Sequence, residues 1–257
     1  MSSQGRRPEF VQSLERGLSV ITAFGPDHPS LSLSEIAELT GLTRAAARRF
    51  LLTLEWLGYV ESEGRRFFLR AKVLELGYSY LSSLPVWEIA KPHMGELADK
   101  VRETTSASVL DGTDIVFVAR IETGRIMNMT LSVGSRLPAF ATAMGRVLLA
   151  DLSPDALDVY FESASFTPLS DRTVTDPKAL RRIIHGVGAQ GWALVDQEVE
   201  EGLRSLAVPI RGGDGRVRAA LTVCSNAFRV SDEQIMEEFL PMAQATAERI
   251  SAELAQR

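Results

Sequence analysis

The sequence predicts an α+β protein that is divided into two domains, and three observations support this prediction. The chain has 257 residues, whereas one domain typically has roughly 100–200. Apolar residues recur at helical spacing up to residue 57, and from residue 106 strand-like segments are grouped between helices. Charge also divides unevenly, because residues 1–80 hold ten Lys/Arg and nine Asp/Glu, and residues 81–257 hold eighteen and twenty-four.

Composition excludes several classes of protein. The hydrophobic fraction of 45% and the charged fraction of 24% are ordinary for a globular protein. The longest apolar runs are shorter than the roughly 18 residues of a membrane span, and the N-terminal MSSQGRRPEF lacks the apolar core of a secretory signal. The single cysteine, Cys224, excludes an internal disulfide, and three scattered histidines make a zinc site unexpected. We therefore expect a cytoplasmic protein with no membrane segment, metal or cofactor.

The first predicted helix ends near Gly25–Pro26. Its apolar residues recur three or four positions apart, so they are expected to form one stripe that supports the two helices that follow. The members of this stripe are Val11, Leu14, Leu18 and Ile21.

The next two helices are joined by a sharp turn. Ser32 and Glu35 have the spacing of a capping box at the start of the second helix. Gly41 can adopt the positive φ that the turn requires, and Thr43 stands at the N-cap of the third helix. The third helix is expected to bury an apolar stripe formed by Ala47, Phe50, Leu51, Leu54 and Leu57.

The opposite face of the third helix is basic. Arg44, Arg48 and Arg49 lie on it, and the small residues Ala45 and Ala46 lie beside them. Nothing acidic falls between residues 43 and 53, so this helix can enter a DNA major groove without steric or charge conflict. An ordinary helical hairpin with a solvated arginine face is the alternative.

A predicted β-hairpin follows, with strand patterns at 59–62 and 66–69. Its tip would carry Arg65 and Arg66 towards a phosphate backbone, although either could instead pair with Glu61 or Glu63. Helix, turn, helix and basic hairpin in this order predict a winged helix-turn-helix. The candidate DNA-contacting residues are Ser34, Thr43, Arg44, Ala45, Ala46, Arg48, Arg49, Arg65 and Arg66.

A linker helix is predicted over residues 71–84, where Leu84–Pro85 breaks it, and a second helix follows over 86–101. The apolar surplus of this pair suggests contact with a second subunit, and packing within one chain explains it almost equally well. We therefore divide the chain into a DNA-binding domain (1–70), a linker helix (71–84) and a second domain (85–257).

The second domain is predicted to be an antiparallel sheet with flanking helices. Glycine turns separate several strand patterns, and Gly212–Gly215 joins the last two as a hairpin. Ser231 is expected to cap a final helix that ends near Leu254. The strand patterns are 106–112, 115–121, 126–133, 192–198, 203–211 and 217–225, and surface helices are expected over 155–162 and 176–191.

Four segments in conserved order resemble the IclR family of bacterial transcription regulators: SLERGLSVITAF, LSLSEIAELTGLTRAAARRFLLTLEWLGYV, GSRLPAFATAMGRVLLADL and DQEVEEGLRSLAVPI. Residues 119–146 and the segment RTVTDP further resemble the subgroup that controls protocatechuate and β-ketoadipate metabolism. The resemblance implies a winged helix, a linker helix and a GAF-like effector domain, with dimers usually paired into tetramers. One departure is Gly188, where relatives commonly carry Arg.

The resemblance also places an effector pocket near Leu137, Ala143 and Met144, with Asp196, Ser205, Thr222 and Cys224 across it. Thr222 and Cys224 alternate along a strand, so both point to one face, and the small residues of 141–145 would let backbone N–H groups approach an anion.

A carboxylated ligand in an acidic domain needs a counter-charge, for which Arg136 and Arg204 are the candidates. Structural salt bridges are an equal alternative for both. Cys224 could simply be a small buried residue, and Asp196 could be a cap or turn residue.

The sequence contains no sign of a catalytic site. Its glycine turns lack the spacing of a phosphate loop, and Ser205 lacks the G-x-S-x-G context of a hydrolase nucleophile. We therefore expect a homodimeric or dimer-of-dimers regulator that binds operator DNA and responds to a small carboxylate such as protocatechuate or β-ketoadipate. The alternatives are a regulator that responds to another acid, such as 4-hydroxybenzoate or glyoxylate, and a DNA-binding protein without a ligand.

Overall fold

A computed structural model describes residues 9–83, 85–123 and 131–256. The chain divides between Tyr80 and Leu81 into two compact units, each with its own sheet and core. The division falls within the helix predicted as a linker. Helices and antiparallel strands occur in both units, so the α+β prediction is confirmed.

The first unit is a winged helix-turn-helix, as predicted. Three helices pack around a small apolar core, and a three-stranded antiparallel sheet in the order β1-β3-β2 flanks them. In chain order its elements are α1 (Gln12–Thr22), β1 (Leu31–Ser32), α2 (Leu33–Thr40), α3 (Arg44–Trp56), β2 (Val60–Glu63) and β3 (Arg66–Leu69).

Local sequence signals determine where these helices begin and end. The Ser32 side chain accepts a hydrogen bond from the Glu35 N–H, and the Glu35 carboxylate accepts one from the Ser32 N–H, which completes the predicted capping box. Gly41 ends α2 with φ +64°, a conformation that glycine adopts without strain. The Thr43 hydroxyl accepts from the Ala46 N–H at 3.2 Å and caps α3. All three predictions are confirmed.

The predicted α1 stripe is wrong at three of its four residues, although α1 packs against α2 and α3 as predicted. The first unit buries Val20 and Phe24 and half-buries Ile21, whereas Val11, Leu14 and Leu18 are exposed, and Leu14 is 63% exposed. The stripe is shifted because α1 contacts α2 and α3 through the face of Val20, about half a turn away. In α3 the predicted stripe is correct at Ala47, Leu51 and Leu54, while Leu57 is 42% exposed.

The predicted linker consists of a short 3₁₀ turn (Ala71–Val73) followed by α4 (Leu74–Ser83). Within the first unit, the apolar side chains of α4 face solvent; they are Leu74, Leu76, Tyr78 and Tyr80. The next helix, α5 (Pro85–Val101), instead buries Ile89, Met94 and Leu97 in the core of the second unit. Packing within the chain therefore accounts for the apolar surplus of α5, whereas Leu74, Leu76 and Tyr78 of α4 remain exposed.

The second unit is a six-stranded antiparallel sheet in the order β6-β5-β4-β9-β8-β7. Helices α5 and α10 cover one face, and α6 and α8 lie on the other. The elements after α5 are β4 (Thr104–Asp111), β5 (Asp114–Ile121), β6 (Arg136–Pro138), α6 (Ala143–Leu149), α7 (Pro154–Ser163), α8 (Pro177–Gln190), β7 (Ala193–Asp196), β8 (Leu203–Arg211), β9 (Val217–Asn226), α9 (Asp232–Gln234) and α10 (Leu240–Leu254).

Two local features of this unit were not predicted. The strand expected over 126–133 lies mostly outside the described residues, and its described end, 131–133, is loop; the edge strand is β6, a few residues later. The final helix begins at the predicted cap Ser231 but passes through a π-helical turn, Ile235–Phe239. Pro241 lacks an N–H and crowds the preceding turn, which accounts for the wider winding there.

None of the described helices combines the length and the apolar character that a membrane crossing requires.

Candidate functional site

The basic face of α3 is exposed and free. Arg44, Arg48 and Arg49 all lie on the surface of the first unit. No ion pair or side-chain hydrogen bond engages any of the three guanidinium groups within the described residues. A cluster of unpaired arginines on the N-terminal half of a capped helix keeps all its donors available for an outside anion. The three guanidinium groups are therefore not turned inward against carboxylates of the described residues.

The other predicted residues of this surface surround the arginines. Ala45 and Ser34 are exposed, and Ala46 is half-buried against the body of the unit. Thr43 is exposed, but its hydroxyl oxygen is engaged in capping α3. Because these side chains are small, they do not sterically prevent the arginines from approaching the base edges in a DNA major groove.

The two arginines of the hairpin behave differently. Arg65 lies in the β2–β3 turn and is exposed, with no side-chain partner among the residues described. The Arg66 guanidinium donates to the Ser30 hydroxyl at 2.8 Å and to the Ser30 carbonyl at 2.6 Å, and it lies 3.7 Å from Glu35. Arg66 therefore ties the hairpin to the start of α2, which corrects its predicted position at the free tip.

The second unit brings three of the predicted effector residues together. Ser205 pairs with Cys224 across β8 and β9, and their Oγ and Sγ atoms are 3.5 Å apart. Thr222 lies two residues earlier in β9 and donates to the Leu206 carbonyl at 2.7 Å. The three side chains share the face of the sheet that α6 covers. Burial raises the pKa of the Cys224 thiol, so the thiol remains protonated at neutral pH.

Leu137, Ala143 and Met144 belong to the apolar layer on the same face. The small residues near α6 have a packing role, because a Cβ on Gly145 would lie 2.0 Å from the Ala139 carbonyl oxygen. The Gly145 N–H is already satisfied by the Thr142 hydroxyl at 3.0 Å. The predicted availability of backbone N–H groups at this helix start is therefore not supported at Gly145.

Asp196 and Arg204 lie on the opposite face from the Ser205–Cys224 pair. They pair with each other across β7 and β8, and Arg204 directly precedes Ser205 in β8. The Arg204 guanidinium donates to Asp196 at 2.7 Å and also contacts Asp232 at 2.6 Å. Because strand residues alternate between faces, these two side chains cannot line the pocket that contains Ser205. Their predicted place across the pocket is wrong, and the salt-bridge alternative for Arg204 is correct.

Arg136 is likewise occupied, at the other end of the sheet. Its guanidinium contacts Asp111 at 2.6 Å and Asp114 at 3.1 Å, on the β4–β5 turn. Hydrogen bonding to Asp111, then to Asp114, raises the pKa of Arg136 despite partial burial. Arg136, which was predicted to be a counter-charge for the effector, is thus engaged in ion pairs at the β4–β5 hairpin.

A nearly buried cation that sequence reasoning missed, Arg120, lies on the pocket face of the sheet. Its side chain is 8% exposed, and its guanidinium donates to the Ser106 hydroxyl at 3.2 Å and to the Glu122 carboxylate at 3.0 Å. Ser106 pairs in turn with Thr222 across β4 and β9. Arg120, Ser106 and Thr222 therefore form one polar row, directly beside the row of Thr104, Cys224 and Ser205.

A β-bulge is the reason why Arg120 was missed. From the β4–β5 turn the register runs regularly to Ser108–Phe117, after which Ala107 pairs with Ala119 and Val118 is left over. Without this extra residue, alternation would place Arg120 on the face away from Ser106. Nothing in the sequence marks Val118 as a bulge, because it is a strong strand former in an apolar run.

A second buried ion pair supports the segment that covers the pocket face. The Arg146 guanidinium in α6 meets Glu198 with two hydrogen bonds of 2.7 Å and donates to the Phe140 carbonyl at 2.9 Å. Glu198 also accepts from the Val174 N–H at 2.9 Å. Each charged group is nearly fully buried and fully partnered, which indicates a structural role.

A separate surface groove of about 630 Å³ lies between α6, α7 and α8. It is lined by Leu149, Leu157, Ile184 and Gly188, so the glycine at this position leaves the groove open where an arginine would project into it. None of the nine predicted effector residues lines this groove. Within the described parts of the chain, no three His, Cys, Asp or Glu side chains are grouped as metal ligands.

Comparisons with known proteins cover almost the whole chain. The family model "IclR helix-turn-helix domain" matches residues 13–64, and "Bacterial transcriptional regulator IclR C-terminal" matches residues 78–252. The chain is 43% identical over 248 residues to the Pca regulon regulatory protein of Pseudomonas putida, covering 96% of this chain and 85% of that protein.

Two solved structures have the same fold. A transcriptional regulator from Rhodococcus sp. RHA1 is 49% identical with a TM-score of 0.85, covering 95% of this chain and 98% of that one. An IclR homolog from Microbacterium hydrocarbonoxydans, solved in complex with 4-hydroxybenzoate, is 26% identical with a TM-score of 0.84, covering 94% and 98%. The matching proteins are regulators of transcription, in agreement with the prediction that the chain is not an enzyme.

Proposed function

The chain belongs to the IclR family of bacterial transcriptional regulators, and we propose that it controls genes of aromatic acid catabolism in response to a small aromatic carboxylate. The Pseudomonas putida relative is a Pca regulon regulatory protein, and the Microbacterium homolog was solved with 4-hydroxybenzoate. Both support an aromatic acid as the effector of this chain. Glyoxylate and other small aliphatic acids are the second candidate class.

The observation that carries the DNA-binding part of the proposal is the free basic face of α3. Arg44, Arg48 and Arg49 are exposed, close together and unpaired within the described chain. Arginine can bridge guanine O6 and N7 in the major groove, and an alanine methyl at Ala45 can contact thymine. Arg65 at the hairpin turn would contact phosphate or the minor groove, while Arg66 holds the hairpin in position through Ser30.

We place the effector on the α6-facing side of the second sheet. Ser106, Thr222 and Cys224 are buried there beside Arg120, and buried polar groups of this density are unusual in an apolar core. The Ser108 hydroxyl on the same face has no partner in the described structure. Leu137, Ala143 and Met144 supply an apolar wall, as an aromatic ring would require.

The chain would act as a homodimer on a two-fold related operator, or as a dimer of dimers, in the cytoplasm beside the chromosome. Leu14 and Leu18 of α1 are exposed, as are Leu74 and Tyr78 of α4, so the first unit carries large apolar side chains without partners. A second copy covering them would hold two α3 helices as one body. Half-sites about one helical turn apart are then expected.

The binding site on DNA can be identified by selecting duplexes from a random library with the full-length protein. An enriched inverted repeat with half-sites about 10 base pairs apart is expected for a dimer. The Arg48→Ala protein should lose this enrichment, whereas Arg182→Ala, the same change at an exposed arginine of α8, should retain it. Equal enrichment by both variants would contradict the assignment of α3.

The dimer proposal has its own test. Leu14→Glu places a charge in the exposed stripe and should convert the protein to a monomer in sedimentation analysis without lowering its melting temperature. Val159→Glu is the matched control, because Val159 is 60% exposed on α7. A Leu14→Glu protein that sediments as the wild type would exclude this surface as the interface.

A further inference from the structure

We propose that Arg120 is the residue that binds the carboxylate of the effector, and that Glu122 occupies its guanidinium when no effector is present. This inference rests on the proposed function, because it concerns the same pocket. It adds a specific anchor and an exchange of one carboxylate for another.

The position of Arg120 is the first argument. The bulge at Val118 turns Arg120 to the pocket face, in the row of Ser106 and Thr222. The Arg120 guanidinium reaches Ser106 on β4, and adjacent strands are about 4.8 Å apart, so its charge lies about one strand spacing from Thr222 and Cys224 on β9. A carboxylate bound to Arg120 would direct an attached aromatic ring towards the polar groups at Cys224 and Ser205.

The burial of the charge is the second argument. The Arg120 side chain is 8% exposed, and a buried guanidinium requires an anionic partner. Its carboxylate partner among the described residues is Glu122, whose side chain is 65% exposed and which contacts Nε at 3.0 Å. Nη1 donates to Ser106, and Nη2 has no hydrogen bond within the described residues. Donors therefore remain for a bidentate contact with an incoming carboxylate.

The third argument is a comparison with the other arginines of the second unit. Arg204 and Arg136 are each held by two carboxylates and a backbone carbonyl, and Arg146 is held by the doubly bonded Glu198. Releasing any of these would leave several polar groups unpaired. Releasing Glu122 leaves one exposed carboxylate, which water solvates at little cost. Arg120 is thus the arginine on this face whose partner can be exchanged.

The remaining groups of the pocket are compatible with an anion. Burial raises the pKa of Cys224, so its thiol is neutral and does not repel a carboxylate. Ser106 and Thr222 are neutral hydroxyls. The Arg120 charge lowers the pKa of Cys224 and the buried Glu103 carboxylate raises it, but Glu103 is paired with Arg229. With Glu103 paired, Arg120 supplies the positive charge that an acid needs at this end of the sheet.

The test is calorimetric titration of the full-length wild type with protocatechuate and 4-hydroxybenzoate, and with 4-hydroxybenzamide as the neutral analogue. Arg120→Gln should weaken binding of the bound acid about 10- to 100-fold, because it removes a charge-assisted contact. It should leave any binding of the amide nearly unchanged. Glu122→Gln should strengthen binding of the acid several-fold, because it removes the competing carboxylate, and it should have no effect in the Arg120→Gln background.

Two further variants keep the test decisive. Arg120→Lys retains the charge without the bidentate geometry, so it should bind the acid with intermediate affinity. It replaces Arg120→Gln in the test if that variant fails to fold. Arg136→Gln, the same change at an arginine outside the pocket, should bind as the wild type. Unchanged affinity in Arg120→Gln, or weaker affinity in Glu122→Gln, would overturn the exchange while leaving the proposed function intact. A wild type that binds neither acid would overturn the aromatic effector class, and this anchor with it.

Discussion

The arginines of the two units differ in what surrounds them. Arg44, Arg48 and Arg49 of the first unit are exposed on α3, and in the described structure they form no ion pair. In the second unit, Arg136, Arg146 and Arg204 are each held by at least one carboxylate at 3.1 Å or less. The same residue type is therefore exposed and unpaired on α3 but held in ion pairs at these three positions of the second unit, and the neighbouring residues decide which.

The difference follows from the local distribution of acidic residues. Nothing acidic falls within the first ten residues of α3, so its arginines have no partner on their own helix. In the second unit the antiparallel register brings Asp196 opposite Arg204. The pairing of β6 with β5 likewise brings Arg136 beside Asp111 and Asp114. Arg120 stands between these cases, because its side chain is nearly buried, like those of Arg146 and Arg204, but its one carboxylate partner among the described residues is exposed.

The largest expected effect is at the buried pair Arg146–Glu198. Glu198→Gln leaves a guanidinium at 3% exposure without its anion, and breaking such a pair costs about 3–5 kcal/mol of unfolding free energy. Chemical denaturation followed by tryptophan fluorescence measures this loss. The double variant Arg146→Met/Glu198→Leu should recover much of the stability, since no charge is then stranded. If Glu198→Gln were as stable as the wild type, the Arg146–Glu198 pair would not have the structural role assigned to it.

The next effect is at the α3 surface and concerns binding rather than stability. Arg48→Ala should weaken binding to the selected duplex about 10- to 100-fold if Arg48 reads a base. If Arg48 contacts a phosphate, the slope of the logarithm of the binding constant against the logarithm of salt concentration should instead become shallower by about 1. The melting temperature should not change. Fluorescence anisotropy at several salt concentrations separates the two outcomes, and a drop in melting temperature would show that Arg48 is structural.

A smaller effect is expected at Arg136. This residue is 46% exposed, and solvent-exposed ion pairs contribute about 1 kcal/mol or less. Arg136→Gln should therefore lower the unfolding free energy slightly and leave effector affinity unchanged. A tenfold loss of effector affinity in this variant would indicate that Arg136 contacts the effector after all.

The smallest effect is a pH dependence at Asp196. Burial raises the pKa of Asp196, but hydrogen bonds from Arg204 and Gln197 outweigh burial and lower it below its usual value. A carboxyl whose pKa is lower in the folded state stabilises the fold above its unfolded pKa of about 3.9, and this stability is lost as the pH falls below that value. Asp196→Asn should be slightly less stable than the wild type at pH 6, and the difference should shrink as the pH falls below the unfolded pKa of about 3.9. A constant difference would exclude ionisation as the cause.

Local signals in the first unit were readable because each depends on residues a few positions apart. The Ser32–Glu35 box, the Gly41 turn and the Thr43 cap follow from spacing alone, and the structure confirms each. The exposed α1 stripe could not be read in this way. Periodicity shows that a helix has an apolar face, but not whether that face meets its own chain or another.

The effector pocket was less readable because it depends on register across strands. The resemblance to the family indicated Ser205, Thr222 and Cys224, which the structure brings together on one face. Asp196 and Arg204 were assigned to the wrong face, and Arg120 was missed because one bulge residue reverses its orientation. A shift of one residue changes the face of every side chain beyond it, and the sequence of β5 carries no mark of that shift.

The most direct test of a metabolite-controlled DNA-binding protein is the dissociation constant of the full-length chain for its selected duplex, measured by anisotropy with and without saturating protocatechuate or 4-hydroxybenzoate. At least one acid is expected to change this constant by about 5- to 150-fold in the wild type, and by much less in Arg120→Gln. An identical dissociation constant with and without each acid, in a protein that calorimetry shows to be saturated, would contradict coupling between the two units.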